Sequence, residues 1–294
     1  MIIILYKSKI FKLYAVCLVN ILNTKYKNVK INLWNKDYVY NKNNFYIIIH
    51  IEIDNIDKCD NYCIINTEDI NNDNIIKRFQ IINKLENCKF FIDYSNDNIN
   101  YINENYNNEY KDKMIYVPFG YTKWYENKIR IDTNIEKVYD IVFLGALNQR
   151  RKEFFKRFDT LNFKYFYPQL EKRKRTINFI LQNREYAKGK IALSIKFYDK
   201  CGNDLFRLRD LILSNIFFLC ERNIDNDIYN YLDELNLTFN SIDECIEKIK
   251  YWLNKDDKER YEITVKVYNW FIKNFAIENY LFENNNLVDF LKKF

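Results

Sequence analysis

At 294 residues the chain is long enough for two domains of about 150 residues, each burying its own core. Hydrophobic residues make up 48% and aromatics 18%, which excludes a disordered chain despite its many asparagines. The net charge of +6 comes from 46 basic and 40 acidic residues spread along the chain; it suits a small anionic ligand and is too diffuse for the concentrated basic face of a nucleic-acid binder, so no nucleic-acid partner is expected.

Ile2–Tyr6 reads as a strand and Phe11–Leu22 as a helix. Lys7, Lys9 and Lys12 interrupt this apolar start, so no transmembrane segment is expected there. Val29–Trp34, Phe45–Ile51 and Tyr62–Ile65 are further β runs; Ile75–Leu85 reads as helix, Lys89–Tyr94 as strand, Asn98–Tyr106 as a short helix and Met114–Val117 as strand. A polar, aperiodic stretch from Lys123 to Lys137 is the expected linker, which gives an N-terminal domain of residues 1–122 and a C-terminal one of residues 138–294. The second half repeats the alternation. Val138–Leu144 is a strand, Arg150–Phe158 helix, Phe163–Tyr167 strand, Gln169–Asn183 helix and Lys190–Lys196 strand. Asp204–Leu213 is helix, Ile216–Cys220 strand and Ile242–Leu253 helix, and the tail from Lys258 to Phe294 reads as entirely helical. Apolar runs of four to eight residues without strict alternation are strands covered on both faces, and their alternation with helices argues for parallel sheets. The expected fold is therefore α/β, two Rossmann-like domains with a cleft between them and a helical C-terminal tail.

The chain has only four glycines, where average usage of about 7% gives roughly twenty. Asn, Ile, Lys and Tyr take the place of Gly, Ala, Pro and Arg, as AT-biased coding in some large DNA viruses and parasites produces. A glycine kept in such a chain answers a backbone need: a positive φ or the close approach of a ligand. Gly145 ends an apolar strand and is followed by Asn148-Gln149-Arg150-Arg151. Strand, glycine, short polar loop and basic helix start are how an α/β fold holds a phosphate, and also how it makes an ordinary tight turn. Gly120, after Pro118-Phe119, falls at a second strand end.

Further on, Asp204, Arg207 and Asp210 are spaced by three, near one helical face beyond Gly202. A carboxylate and a guanidinium there can take a ribose and a phosphate; the same spacing also makes a surface ion pair. His50, Glu52 and Glu68 are the candidate bases, with Glu68 favoured by its place after a strand. Seven scattered cysteines and a single histidine do not make a structural zinc site, so free buried thiols, a reducing compartment and no metal or cofactor are expected. The dense run Lys172-Arg173-Lys174-Arg175 reads as a solvated helix face.

Tyr139-Asp140-Ile141-Val142-Phe143-Leu144-Gly145-Ala146-Leu147-Asn148-Gln149-Arg150-Arg151 resembles the "YDVVFVGSLNERR" stretch of GT-B glycosyltransferases of the group 1, spore-maturation-protein-like branch. Leu205–Asn215 is similar to that family's "xFRLxEALxxG" helix and Phe217–Glu221 to its "VVSE" strand. In the first half, Tyr62–Glu68 resembles "YIxxNTEQ", Asp93-Tyr94-Ser95 with Asn98-Ile99 resembles "DYSxxNI", and Tyr116–Tyr121 resembles "YVPFGY". The resemblance implies an enzyme that moves a sugar from a UDP- or GDP-sugar donor to a glycan, protein or lipid acceptor without a metal. It implies donor binding through Gly145, Arg150, Arg151, Arg207 and Asp210; the catalytic base for such a transfer is expected from the first domain, at Glu68 or His50. Asp210 stands where the family has glutamate, and Gly202 where retaining relatives carry the first of two paired glutamates, so stereochemistry stays open. A non-catalytic binder of sugar nucleotides or glycans is the alternative. The location implied is cytoplasmic, host cytoplasm for a viral protein.

Overall fold

The computed structural model describes residues 1–35, 37–50, 56, 59–70, 76–77, 80–131, 135–167, 179–197, 205–223 and 227–294. Two compact units divide it: residues Met1–Tyr125 with Phe275–Phe294, and residues Glu126–Asn274.

The first unit is built on a parallel sheet of β1 (Ile2–Tyr6), β2 (Val29–Leu33), β3 (Phe45–Ile49), β4 (Tyr62–Ile65), β5 (Phe90–Asp93) and β6 (Met114–Tyr116), in the order β2-β1-β3-β4-β5-β6. Every residue of β1, β3, β4 and β5 is buried, which is why these strands are unbroken apolar runs. Edge strand β2 buries only Val29 and alternates accordingly. Ile3, Leu5, Tyr46, Ile48, Tyr62, Ile64 and Phe91 point to one face, where Ile81 and Leu85 of the helix Ile81–Asn87 and Ile102 of the helix Asn96–Asn105 cover them. Alternate residues Phe45 and Phe90 meet Phe290, at 5.1 and 5.6 Å between ring centroids, and Phe45 also stacks on Phe294.

Those last contacts belong to a segment that the sequence reading kept with the second domain. Phe275–Phe294, with helices Ile277–Glu283 and Asn285–Leu291, packs in the first unit. It enters by crossing Gly120: Tyr121 N donates to Phe275 O at 2.6 Å and Ile277 N to Tyr121 O at 3.0 Å. The tail is thus three helices, the first of them Asp257–Asn274 in the second unit, with Asn284 capping the last through Leu287 N. The expected linker starts as a helix, Lys123–Ile129, and the division between the units falls inside it.

The second unit carries β7 (Tyr139–Val142), β8 (Tyr165–Phe166), β9 (Gly189–Ser194), β10 (Phe218–Glu221) and β11 (Thr238–Phe239), all parallel, in the order β11-β10-β9-β7-β8. Helix Gln149–Thr160 buries Arg151, Phe154, Phe155 and Phe158, a stripe at spacings of three, four and seven, and Asn148 caps it by accepting from Arg151 N at 2.9 Å. Helix Leu205–Leu213 is buried except at Phe206 and Arg207. Most of the helix expected over Gln169–Asn183, the Lys172–Arg175 run, Gly202, Asp204 and Glu52 lie outside the described residues.

Candidate functional site

In an open parallel sheet the crevice for a ligand opens beyond the strand carboxyl ends, where consecutive connections leave in opposite directions. In the second sheet the chain goes from β7 to its neighbour β8, then crosses to β9 on the other side of β7. The loops after β7 and β9 therefore flank the switch point, and they hold Gly145 and residues 195–197 respectively, with Ser194 ending β9.

The geometry around Gly145 answers the question its rarity raises. No described glycine has a positive φ. A Cβ at Gly145 meets the Phe143 ring at 2.7 Å and Arg151 Nη1 at 3.2 Å, so the space a larger residue needs is taken by a side chain of the loop and one of the helix that follows it. Arg151 is buried, lies between the Phe143 and Phe197 rings, and donates to Ala146 O at 2.7 Å and to the carbonyls of Ile195 and Lys196. Its guanidinium knits the β7 and β9 loops together. Arg150 makes a two-pronged ion pair with the Glu221 carboxylate at the end of β10 and donates to Lys196 O, while Lys196 N donates to Glu221 at 2.9 Å. Of the two cations expected at a phosphate, one is a structural staple and the other is engaged by a carboxylate.

Arg207 projects from the less buried side of its helix, 5.9 Å from the Phe143 ring centroid and 3.4 Å from Ser194 Oγ. It and Gly145 thus abut the same ring at the switch point. Asp210, one turn on, is buried and accepts from Arg209 Nε at 3.1 Å. Arg209 is itself the largest fully buried side chain among the described residues and lies over Phe206. The sequence reading passed over Arg209, Ser194 and the site role of Glu221; of these only Glu221, a carboxylate ending a buried strand, carried a readable signal.

The switch point of the first sheet lies between β1 and β3, because β1 is followed by β2 on one side and β3 on the other. His50 is the first residue after β3; its φ of 85° ends the strand, so it is a bend residue and not a member of the β run Phe45–Ile51 expected there. The imidazole is buried, stacks on Phe11 at 5.0 Å, and places Nδ1 2.7 Å from Thr67 Oγ1 and 3.5 Å from Glu68 Oε1. The two candidate bases, chosen for unrelated reasons, are therefore one pair at the carboxyl ends of adjacent strands.

Behind Glu68 lies a buried polar cluster to which sequence reasoning gave no role. Asp93, at the end of β5, accepts from Asn66 Nδ2 at 2.8 Å, Asn98 Nδ2 at 2.9 Å and Ser95 N at 2.9 Å. Burial pushes its carboxyl up to about 7, against the lowering pull of those donors. Asn66 in turn holds Glu68 N and O, and Asn98 holds Glu68 O and Ile70 N. Among the described residues no group of three or more His, Cys, Asp or Glu is placed to hold a metal ion, and no helix is long and apolar enough to cross a membrane.

No protein-family model and no curated protein sequence matches this chain. Solved structures do. T4 phage β-glucosyltransferase in complex with UDP-glucose is similar over 100% of this chain and 99% of its own, with a TM-score of 0.59 and 14% identity. The same T4 protein, described as a DNA-modifying enzyme, has also been solved with UDP and Mn2+. An α1,3-fucosyltransferase with GDP matches over 97% of this chain and 90% of its own, with a TM-score of 0.58 and 11% identity. Accessory secretory proteins 1, 2 and 3 of Streptococcus pneumoniae match over 87% and 55%, with a TM-score of 0.52 and 10% identity. The chain has the GT-B fold: α/β, with two parallel sheets and a helical C-terminal region.

Proposed function

We propose that this chain is a glycosyltransferase that takes a sugar from a nucleoside diphosphate sugar. The observation that carries the reading is the β7–β9 switch point, where Arg207, Ser194 and the Phe143–Asn148 loop lie beside the N-terminus of the helix Gln149–Thr160. A guanidinium and the positive end of a helix dipole at one end of a crevice suit a diphosphate. Asp210 is the proposed ribose partner on the same helix as Arg207. Neighbours of this fold solved with UDP-glucose and with GDP support the same ligand class.

Transfer breaks the bond between the sugar C1 and the diphosphate oxygen, and forms a bond from C1 to an acceptor oxygen. The leaving diphosphate gains charge, which Arg207 and the helix dipole stabilise in this reading, without a metal. The acceptor hydroxyl loses its proton, and a base at the acceptor is what an inverting displacement requires. His50 and Glu68 are the proposed source of that base.

A thermal-shift series with UDP-, GDP- and CMP-sugars tests the reading, since ligand at 100 times its Kd adds about 2.7 kcal/mol of stability. We expect one nucleotide class to raise Tm, and donor hydrolysis to persist in EDTA. Absence of any shift across the series refutes nucleotide-sugar binding, and dependence on added Mn2+ refutes the metal-free part. One observation favours a second reading, donor binding without transfer: Arg150 and Arg151 are engaged within the protein. Binding with no donor hydrolysis and no transfer to glycan, protein, lipid or DNA acceptors selects it.

A further inference from the structure

We propose that Asp93, acting through Asn66 and Asn98, is the positioning residue that aims the Glu68 carboxylate at His50. The inference rests on the reading of His50 and Glu68 as the acceptor-side base, and assigns the source of their geometry.

Glu68 lies on the loop after β4, and a half-exposed loop carboxylate has many orientations to choose from. Here the backbone that carries it is fixed at three points by two side chains. Asn66 Oδ1 accepts from Glu68 N at 3.0 Å and Asn66 Nδ2 donates to Glu68 O at 2.7 Å. Asn98 Nδ2 donates to Glu68 O at 3.0 Å and Asn98 Oδ1 accepts from Ile70 N at 2.7 Å. Both amides are then locked by one carboxylate, Asp93 Oδ2 taking Asn66 and Oδ1 taking Asn98. Asn66, Asn98 and Asp93 are all essentially fully buried. A chain that only needed its loop closed had an apolar filler available and no reason to bury a carboxyl group there. An acceptor with two oxygens is, however, what orients two amide groups at once. The cluster acts on the loop backbone and does not touch the His50 ring, so its role is positioning.

Among the described residues the charged groups on the elements around His50 are few. Phe11 brings its helix against the ring; the nearby cations are Lys7, placed over Trp34, and the exposed Lys12, while the Lys9 side chain lies outside the described residues. The loop after β4 adds Asp69 to Glu68.

His50 is the only histidine in the chain, so its ring protons give a single resolved NMR titration. Glu68→Gln should move the His50 midpoint down, because a carboxylate 3.5 Å from Nδ1 favours the imidazolium. Asn98→Ala should move it in the same direction, and the double variant should show no further shift beyond Glu68→Gln alone. Asn98→Ser, a milder truncation, serves if the alanine variant does not fold. An unmoved midpoint in Glu68→Gln or in Asn98→Ala overturns the proposal. So does a shift of equal size in both backgrounds, which places the effect of Asn98 somewhere other than Glu68. In the transfer assay the Asn98 variant should lose roughly tenfold in kcat with donor KM unchanged. The NMR result stands whatever the enzyme activity, so failure of the positioning role and failure of the glycosyltransferase reading are told apart.

Discussion

Alanine at Gly120 adds one methyl group at the point where Phe275–Phe294 enters the first unit. That Cβ lies 2.0 Å from Phe275 O and 3.0 Å from Phe275 C, both backbone atoms, and 3.4 Å from an Ile277 side-chain carbon. Gly120 has no positive φ, so contact alone decides the outcome. An ordinary carbon–oxygen contact needs roughly 1 Å more, so the two segments must part. Parting them breaks the bonds from Tyr121 N to Phe275 O and from Ile277 N to Tyr121 O. Each is worth about 1 kcal/mol net, and overpacking adds about 1–3 kcal/mol. The total of about 3–5 kcal/mol is a large share of a stability of about 5–15 kcal/mol. Urea unfolding gives the change, and hydrogen exchange locates it: protection should fall first in Phe275–Phe294. A variant within about 1 kcal/mol of the parent, with that segment still protected, refutes the close crossing.

Arg207→Ala should weaken nucleotide-sugar binding by about 1.5–3 kcal/mol, the range for a hydrogen bond to a charged group, read by calorimetry; unchanged affinity removes Arg207 from the donor site. Asp210→Asn should weaken donor binding and also destabilise the fold by about 1–3 kcal/mol, because it takes the charge partner from buried Arg209; a variant that melts and binds like the parent contradicts both roles. Asp93 titrates near 7 when folded and near 3.8 when unfolded, so the folded state holds the extra proton and stability falls as pH rises between those values. The difference in melting temperature between parent and Asp93→Asn should therefore shift against the parent from pH 4 to 7 and level off above, and a pH-independent difference rules out a raised Asp93.

Strands were the most legible part of this chain. Ile2–Tyr6 and Tyr62–Ile65 coincide with the observed β1 and β4, because strands buried on both faces leave nothing but apolar residues between polar loops. The sequence reading put Arg150 and Arg151 together at the phosphate, and the fold parts them: Arg151 falls on the stripe of Phe154, Phe155 and Phe158, and is buried with them. Contacts set by sheet order were not legible. His50 and Glu68 meet because β3 and β4 are neighbours and His50 bends at a positive φ, and neither fact has a local signature. Helical periodicity likewise shows that Phe290 has a buried face, without showing which sheet it covers. A rare glycine records crowding without saying whether ligand or side chain does the crowding, and at Gly145 the Phe143 ring and Arg151 stand close.

The return of Phe275–Phe294 has a consequence for synthesis. A ribosome finishes Tyr125 roughly 150 residues before the tail, a delay of about 8–30 s at 5–20 residues per second. Throughout that interval Phe45 and Phe90 lack the Phe290 ring that later lies against them. The first unit to emerge is thus the last to close, and the nascent chain carries a sticky parallel sheet for as long as the second unit takes to be made. Binding by a holding chaperone during translation, and sensitivity to slow codons between 126 and 274, follow from the path of the chain.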